Sequence, residues 1–316
     1  MSEFLTNLDK YGYAKINNVF NEHEKKILKE YSELILQEQK ISYEDLPSTI
    51  INDEVELYYN KKNVFTFFKT LNRNFLGCYE ELDKLFSNLL SKKSLEEYLK
   101  QILGEDYKLH TCLLRKADKN SNYMGLHADN NFAFTISVLC DDLQKDHPTT
   151  VFVPRSHKFN YNFKNRIERL NPKNFSYLTE PSIGKTGDIN CFFNKTLHGI
   201  KKCSKNKNFS NTIWLLGFHR NSDKIMRTIL LPDYTNYGKK IEEVFPQNIL
   251  KLFELNPNSR KIEKISIRNN LLDKINDKHK NSISVNLKLI FFKIVEFNIS
   301  FIRKVIFHSK FLFKKK

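Results

Sequence analysis

A mainly β domain with flanking helices, a sandwich or barrel, is the fold class this sequence predicts, on three observations. Helix-like segments come first, and short runs rich in β-branched and aromatic residues follow from about Lys108. Turn signals separate those runs. The composition also supports a buried core, because 40% of the 316 residues are hydrophobic and 26 Phe and 14 Tyr are among them. Helices followed by many short strands is the order of a β-sandwich or barrel with helices packed outside it. A disordered chain lacks this apolar content.

Near the start, Tyr11 to Phe20 alternates enough to read as a strand. Asn21 with Glu24 then forms an Asn-x-x-Glu start, close to a capping box, for a helix to about Gln37. Residues 62–91 carry apolar side chains at helical spacing and are expected to be helical. Ser94 with Glu97 opens a further helix that Gly104 closes. The expected strands are His110–Ala117, Phe132–Asp141, Thr149–Val153, Asp188–Phe193 and Asn211–His219, with turns at Gly125, Pro154-Arg-Ser, Gly184–Gly187 and Asn206-Lys-Asn.

Charge divides the chain after Tyr237. Residues 239–316 hold 18 Lys+Arg against 7 Asp+Glu, whereas the other 238 residues hold 34 against 29, so most of the net +16 belongs to the tail. The expected organisation is therefore a domain over 1–237 and a basic, amphipathic helical extension over 238–316. Within residues 285–316, Phe291, Phe297, Phe301 and Phe307 interleave with Lys288, Lys293, Arg303 and Lys304, and three lysines close the sequence. That pattern fits a helix lying on an anionic membrane surface, and it equally fits a helix packed on the domain with a solvated basic face. No nucleic-acid recognition motif accompanies the charge, so nucleic acid is not the expected partner. No stretch reaches about 18 uncharged apolar residues, which argues against a spanning helix. The five cysteines show no CxxC spacing and are odd in number, which fits a reducing cytosol. The residues from Met1 to Leu8 lack the pattern of a signal peptide. The expected location is cytoplasmic, peripheral on the inner membrane face if the tail binds there.

His127-Ala-Asp129, followed 71 residues later by His198, is the feature that carries chemistry. Two imidazoles and a carboxylate hold Fe(II) on one face and leave positions open for a co-substrate and oxygen. In extended backbone, residues i and i+2 share a face, so His127 and Asp129 can aim inward together. The stretch Gly184–Gly199 reads as a Gly-Asp turn launching the strand that delivers His198. On that strand Cys191, seven residues upstream, falls on the opposite face and reads as core. His157 reads as a turn residue, and His110 and His219 read as structural. There is no GxSxG elbow and no phosphate-binding glycine loop.

In order, "GLHADNN" (125–131), "CDDL" (140–143), "VFVPRSHK" (151–158) and "GKTGDINCFFNKTLHG" (184–199) resemble the phytanoyl-CoA dioxygenase family, as does the opening "GYAKINNVFNEHEKKIL" (12–28). The resemblance covers about residues 10–220. It implies a double-stranded β-helix of jelly-roll or cupin-like form, with His127, Asp129 and His198 as iron ligands. It also implies 2-oxoglutarate as co-substrate, decarboxylated to succinate and CO2 while O2 supplies the oxygen for hydroxylation. That family places an arginine for the far carboxylate of 2-oxoglutarate at the start of the final strand. The matching stretch here, Phe209-Ser-Asn-Thr-Ile-Trp214, has none. The neighbouring cations are Lys205, Lys207 and Arg220, with Arg115 and Lys116 at an earlier strand, and Asn211 or Ser210 in the same stretch could hydrogen-bond the carboxylate but not neutralise it. Tyr123 and Asn130 are placed at the pocket mouth. Arg155 stands where the family commonly has Gly, and reads as either a ligand contact or a solvated turn residue.

The reading is an Fe(II)/2-oxoglutarate-dependent dioxygenase that hydroxylates a small-molecule, lipid-linked or glycan-linked substrate. Its alternative is a catalytically altered binding module of the same fold, tethered to a membrane by the tail and motivated by the missing arginine. A metal-dependent isomerase on a similar barrel is a third class, against which the flanking motifs argue.

Overall fold

Alternation along four long strands decides the architecture. The computed structural model describes residues 2–37, 64–67, 70–73, 75–119, 121, 123–129, 133–158, 172, 176–201, 209–220 and 234–253. The basic segment 285–316, Asn130, Lys205 and Lys207 lie outside them.

The helices are α1 (Glu3–Tyr11), α2 (Glu22–Gln37), α3 (Glu80–Leu90), α4 (Lys93–Leu103), α5 (Ile241–Val244) and α6 (Gln247–Leu250). The strands are β1 (Tyr13–Ile16), β2 (Val64–Phe67), β3 (Thr70–Arg73), β4 (Tyr107–Ala117), β5 (Met124–His127), β6 (Ala133–Leu139), β7 (Thr150–Phe152), β8 (Glu180–Pro181), β9 (Ile189–Phe193), β10 (His198–Ile200) and β11 (Asn211–Arg220). Among the described residues they form a seven-stranded sheet, β1-β9-β6-β11-β4-β3-β2, and a four-stranded sheet, β5-β10-β7-β8. The named pairings are antiparallel.

In the large sheet, Leu114, Ile136, Cys191 and Trp214 belong to one apolar core with Leu28, Ile35, Phe75, Phe86, Leu99, Phe245 and Phe253 from the helical side. Trp214 stacks on Phe75 at 4.4 Å, and its Nε1 donates to Ser32 Oγ at 3.2 Å. Side chains alternate along a strand. The intervening residues Arg115, Ser137, Asn190, Phe192, Ile213, Leu215 and His219 therefore face the other way, toward the small sheet. There Phe192 packs on Phe152 at 5.1 Å, and Phe152 stacks on Tyr13 at 4.8 Å. One wall of the large sheet is thus dry core, and the other is a mixed polar and aromatic wall. This is the double-stranded β-helix of jelly-roll form that the motif order implied.

The helix over α2 starts as its residues dictate. Glu24 N–H donates to Asn21 Oδ1 and Asn21 N–H to Glu24 Oε2, both at 2.9 Å, a reciprocal capping box. Differences from the sequence expectation are local. Residues 3–11 form a helix that the alternation reading did not include. Of 62–91, only Glu80–Leu90 is described as helix, and 64–67 and 70–73 pair as strands. Cys191 and His198 lie on separate strands of different sheets, because Asn194, Lys195 and Thr196 turn the chain between them. Cys191 is nonetheless fully buried core. The core also runs past Tyr237: Ile241, Phe245, Ile249, Leu250, Leu252 and Phe253 are buried in it.

Candidate metal centre

The small sheet brings the two histidines together. His127, the last residue of β5, is the direct antiparallel partner of His198, the first residue of β10, and their rings stand 4.4 Å apart. Asp129 lies two residues beyond β5. Its N–H donates to Asn194 O at 2.8 Å, which ties this segment to the turn preceding His198. Asn194 is itself held, since Thr135 Oγ1 donates to its Oδ1 at 2.6 Å.

Each imidazole is oriented by its own backbone. His127 Nδ1 donates to Gly125 O and His198 Nδ1 to Thr196 O, both at 2.8 Å. A carbonyl only accepts, so Nδ1 carries a proton in each ring, which leaves Nε2 as the nitrogen that would ligate a metal. Both Nε2 atoms meet the same carboxylate, at 3.6 Å from His127 to Oδ1 and 3.4 Å from His198 to Oδ2. The three donor atoms lie within 4.8 Å of one another. Neighbouring ligands of an octahedral ion bound at about 2.1 Å stand about 3 Å apart, so this N,N,O set fits a divalent transition metal with little movement.

The charge state also fits. Burial pushes the His127 imidazolium down, and His198 adds to that. Burial alone would raise the Asp129 carboxyl, but His198 and His127 outweigh it and hold it well below the usual carboxylate range. Near neutrality His127 is therefore a neutral base and Asp129 an anion, the forms that ligate.

On the opposing wall, Arg115 of β4 pairs with Ile213 of β11. Burial brings its guanidinium down to about 10, opposed by Asp129, so it remains a cation at neutral pH. Its charge also depresses the His127 imidazolium. Asn211, first residue of β11, is buried on the same face, and its Oδ1 finds no hydrogen-bond partner among the described residues. Arg220, at the far end of β11, is the partner of Tyr107 on the helix-facing side, away from the triad. Tyr123 is 41% exposed just before β5, about 13 Å along the strand from His127 at 3.3 Å per residue.

His110 and His219, read from the sequence as structural, stand on the inner wall. Leu109 pairs with Phe218 and Thr111 with Gly217, so His110 is the extra residue of a β-bulge. A side chain on Gly217 would meet the His110 ring at 2.6 Å, so the imidazole lies over that glycine. The two rings are 5.7 Å apart, and burial, reinforced by His219, brings His110 down to about 3. Lys195, in the turn before His198, is also buried, and burial brings it down to about 8. The signal for His219 was alternation with Ile213 and Leu215; nothing in the sequence marks the bulge. Arg155 is an exposed turn residue at φ 66°, whose N–H donates to Tyr11 O, which accounts for a glycine preference there.

No family model matches the chain, and no curated protein matches it in sequence. Solved structures match its fold. HygX from Streptomyces hygroscopicus, with nickel and 2-oxoglutarate bound, aligns at 14% identity over 73% of this chain and 90% of its own, with TM-score 0.52. EctD from S. alaskensis, in its apoform, aligns at 13% identity over 80% of this chain and 87% of its own, with TM-score 0.50. At this identity the likeness establishes the jelly-roll fold. Among the described residues no helix is long and apolar enough to cross a membrane.

Proposed function

We propose that this protein is an Fe(II)- and 2-oxoglutarate-dependent oxygenase that hydroxylates a small-molecule substrate, free or carried on a lipid or glycan. One observation carries the reading: His127 and His198, each with Nδ1 tied to a backbone carbonyl, converge through Nε2 on the Asp129 carboxylate. The HygX structure with nickel and 2-oxoglutarate bound shares the fold and supports it. When bound, Fe(II) with 2-oxoglutarate and O2 supplies an oxidant strong enough for an unactivated C–H bond, with succinate and CO2 as co-products.

The protein's own residues provide the setting. As ligands, Asp129 would contribute one negative charge and the two imidazoles none, so a divalent ion would keep net positive charge for an anionic co-substrate. Gly125 O and Thr196 O fix the ring orientations, and Asn194 fixes the backbone of Asp129. The face of the triad turned toward the large sheet is walled by Phe192, 4.8 Å from the His198 ring, and limits water there. Arg115 weakens the case for the binding-module alternative, because a cation stands on the inner wall although no arginine lies at the start of β11.

Anaerobic titration of the Fe(II)-loaded protein with 2-oxoglutarate tests the reading. A visible charge-transfer band should form in the wild type and be absent in His127→Ala. Iron binding with no band at saturating 2-oxoglutarate would refute the assignment.

A further inference from the structure

We propose that His110, carried onto the inner wall by the β4 bulge, is a specificity-determining residue for the primary substrate. Its Nε2 accepts a hydrogen bond from a neutral hydroxyl or amide N–H of that substrate. This rests on the oxygenase reading and names a group the substrate carries. The pairing register places the imidazole across from the triad. Gly217 pairs with Thr135 and Thr135 with Phe192, so three adjacent strands present these residues at one level. At that level Phe192 stands 4.8 Å from the His198 ring, and Thr135 holds the side chain of Asn194, whose carbonyl accepts from Asp129 N–H. The tip of His110 fills the place of a Gly217 side chain, since a Cβ there would meet Cε1 and Nε2 at 2.6 Å. Gly217 alternates with the core residues Leu216 and Phe218, so that place faces the small sheet. His110 and Asp129 also act on each other's charge, so they share one compartment.

The imidazole arrives with its chemistry set. Its Nε2 is buried and has no hydrogen-bond partner among the described residues. The ring hydrogen-bonds its own backbone carbonyl, and Nδ1 lies 2.8 Å from Thr111 Oγ1. A carbonyl only accepts and Nε2 is not engaged, so the N–H is on Nδ1. Burial brings the ring down to about 3, so at neutral pH it is uncharged and Nε2 offers a lone pair. Buried polar atoms are normally paired, and one left open across from a reaction centre calls for a donor from a ligand. A substrate hydroxyl or amide N–H is such a donor, whereas a ketone, an ether or a hydrocarbon is not. His219, two residues beyond Gly217 and paired with Ala133, stands 5.7 Å from His110 and turns its Nδ1 to Arg220 O. This end of the wall is therefore polar, with small neighbours in Gly217 and Ala133.

Cyclohexanol and cyclohexanone test the proposal, because they are close in shape and only the alcohol donates. Each is titrated into the full chain loaded with 2-oxoglutarate and with Zn(II) in place of Fe(II), and binding is read by ligand-observed NMR. The wild type should bind cyclohexanol about 10-fold more tightly, the effect of one neutral hydrogen bond to a buried acceptor. His110→Leu should bring the two probes within about 2-fold of each other. His110→Gln, whose Oε1 can stand where Nε2 does, should restore about 5-fold. A packing role alone would change the affinity for both probes alike. Should His110→Leu not fold, His110→Phe keeps a ring in the space over Gly217 and replaces it in the test. Equal binding of the two probes by the wild type, binding of neither, an undiminished preference in the folded apolar variant, or no recovery in His110→Gln overturns the proposal and leaves the oxygenase reading intact. A wild type that binds Fe(II) but forms no charge-transfer band with 2-oxoglutarate overturns both.

Discussion

Asp83 is a carboxyl the fold buries with no cation partner among the described residues, and it gives the domain a pH dependence of its own. Its carboxylate accepts from Gly77 N–H at 2.9 and 3.0 Å and from Tyr237 Oη at 2.7 Å, joining the loop before α3 to the segment before α5. Burial outweighs these donors and brings the carboxyl up to about 7. A folded-state pKa above the unfolded value means the protonated form is the one the fold favours. The contribution is therefore complete below about pH 4 and is lost as pH rises to about 7. Asp83→Asn keeps one acceptor for Gly77 and one donor for Tyr237 and does not ionise. Its melting temperature should exceed that of the wild type by roughly 3–6 °C at pH 8, about 1–2 kcal/mol for a domain of this size, and the gain should shrink through pH 5 and vanish below about pH 4. Thermal unfolding at about pH 8 and below about pH 4 checks it, and an equal difference at both would show that Asp83 does not titrate in this window.

At the scale of elements, the triad depends on how α1 ends. Gly12 closes α1 at φ 88°, its N–H donating to Leu8 O. Its carbonyl accepts from Phe193 N–H at 3.1 Å and Thr196 Oγ1 at 2.8 Å, so the helix end holds the turn that presents His198. A Cβ at Gly12 would press on His157 Nδ1 and Thr196 Oγ1. Gly12→Ala combines a left-handed backbone penalty of about 1–2 kcal/mol with overpacking of about 1–3 kcal/mol. It should cost about 2–5 kcal/mol in urea unfolding and weaken Fe(II) binding through His198, whereas a surface change such as Lys26→Ala should do neither. The sequence announced α2, through Asn21 and Glu24, and β4, β6, β7, β9 and β11, through their β-branched and aromatic runs. It hid α1, because Tyr11–Ile16 alternates as a strand does and that reading absorbed the helix end. It hid the bulge at His110 for a different reason. An inserted residue shifts the face of everything before it and leaves no compositional mark, so His110 reaches the inner wall although it is out of step with Arg115. His127 and Asp129 were legible because the i, i+2 rule holds across the end of β5.

For the whole molecule, charge composition and packing divide the chain at different places. Residues 239–316 taken as a whole carry the basic excess, and on that ground Tyr237 is the boundary. The core disagrees: Ile241, Phe245, Ile249, Leu250, Leu252 and Phe253 are each at most 3% exposed, with Phe86 in ring contact with both Phe245 and Phe253. Leu109 N–H donates to Leu252 O at 2.8 Å, fastening this segment to β4, the strand that carries Arg115. Residues 239–253 hold three lysines against two glutamates, so this buried layer is nearly neutral and the basic excess that suggested a boundary at Tyr237 lies in residues 254–316, with 15 Lys+Arg against 5 Asp+Glu. Burying a large apolar side chain contributes about 1.5–3 kcal/mol, so these six together are worth on the order of 10 kcal/mol. That equals the whole net stability of a typical domain, about 5–15 kcal/mol. A chain ending at Tyr237 should therefore unfold without a cooperative transition, whereas one ending at Phe253 should melt cooperatively and bind Fe(II) with wild-type affinity. Loss of membrane association in a chain cut at Tyr237 would report unfolding as readily as loss of an anchor. A vesicle-binding comparison of the full chain with 1–253 isolates residues 254–316. Cooperative melting of the chain ending at Tyr237 would mean that the layer after it is an accessory to the core.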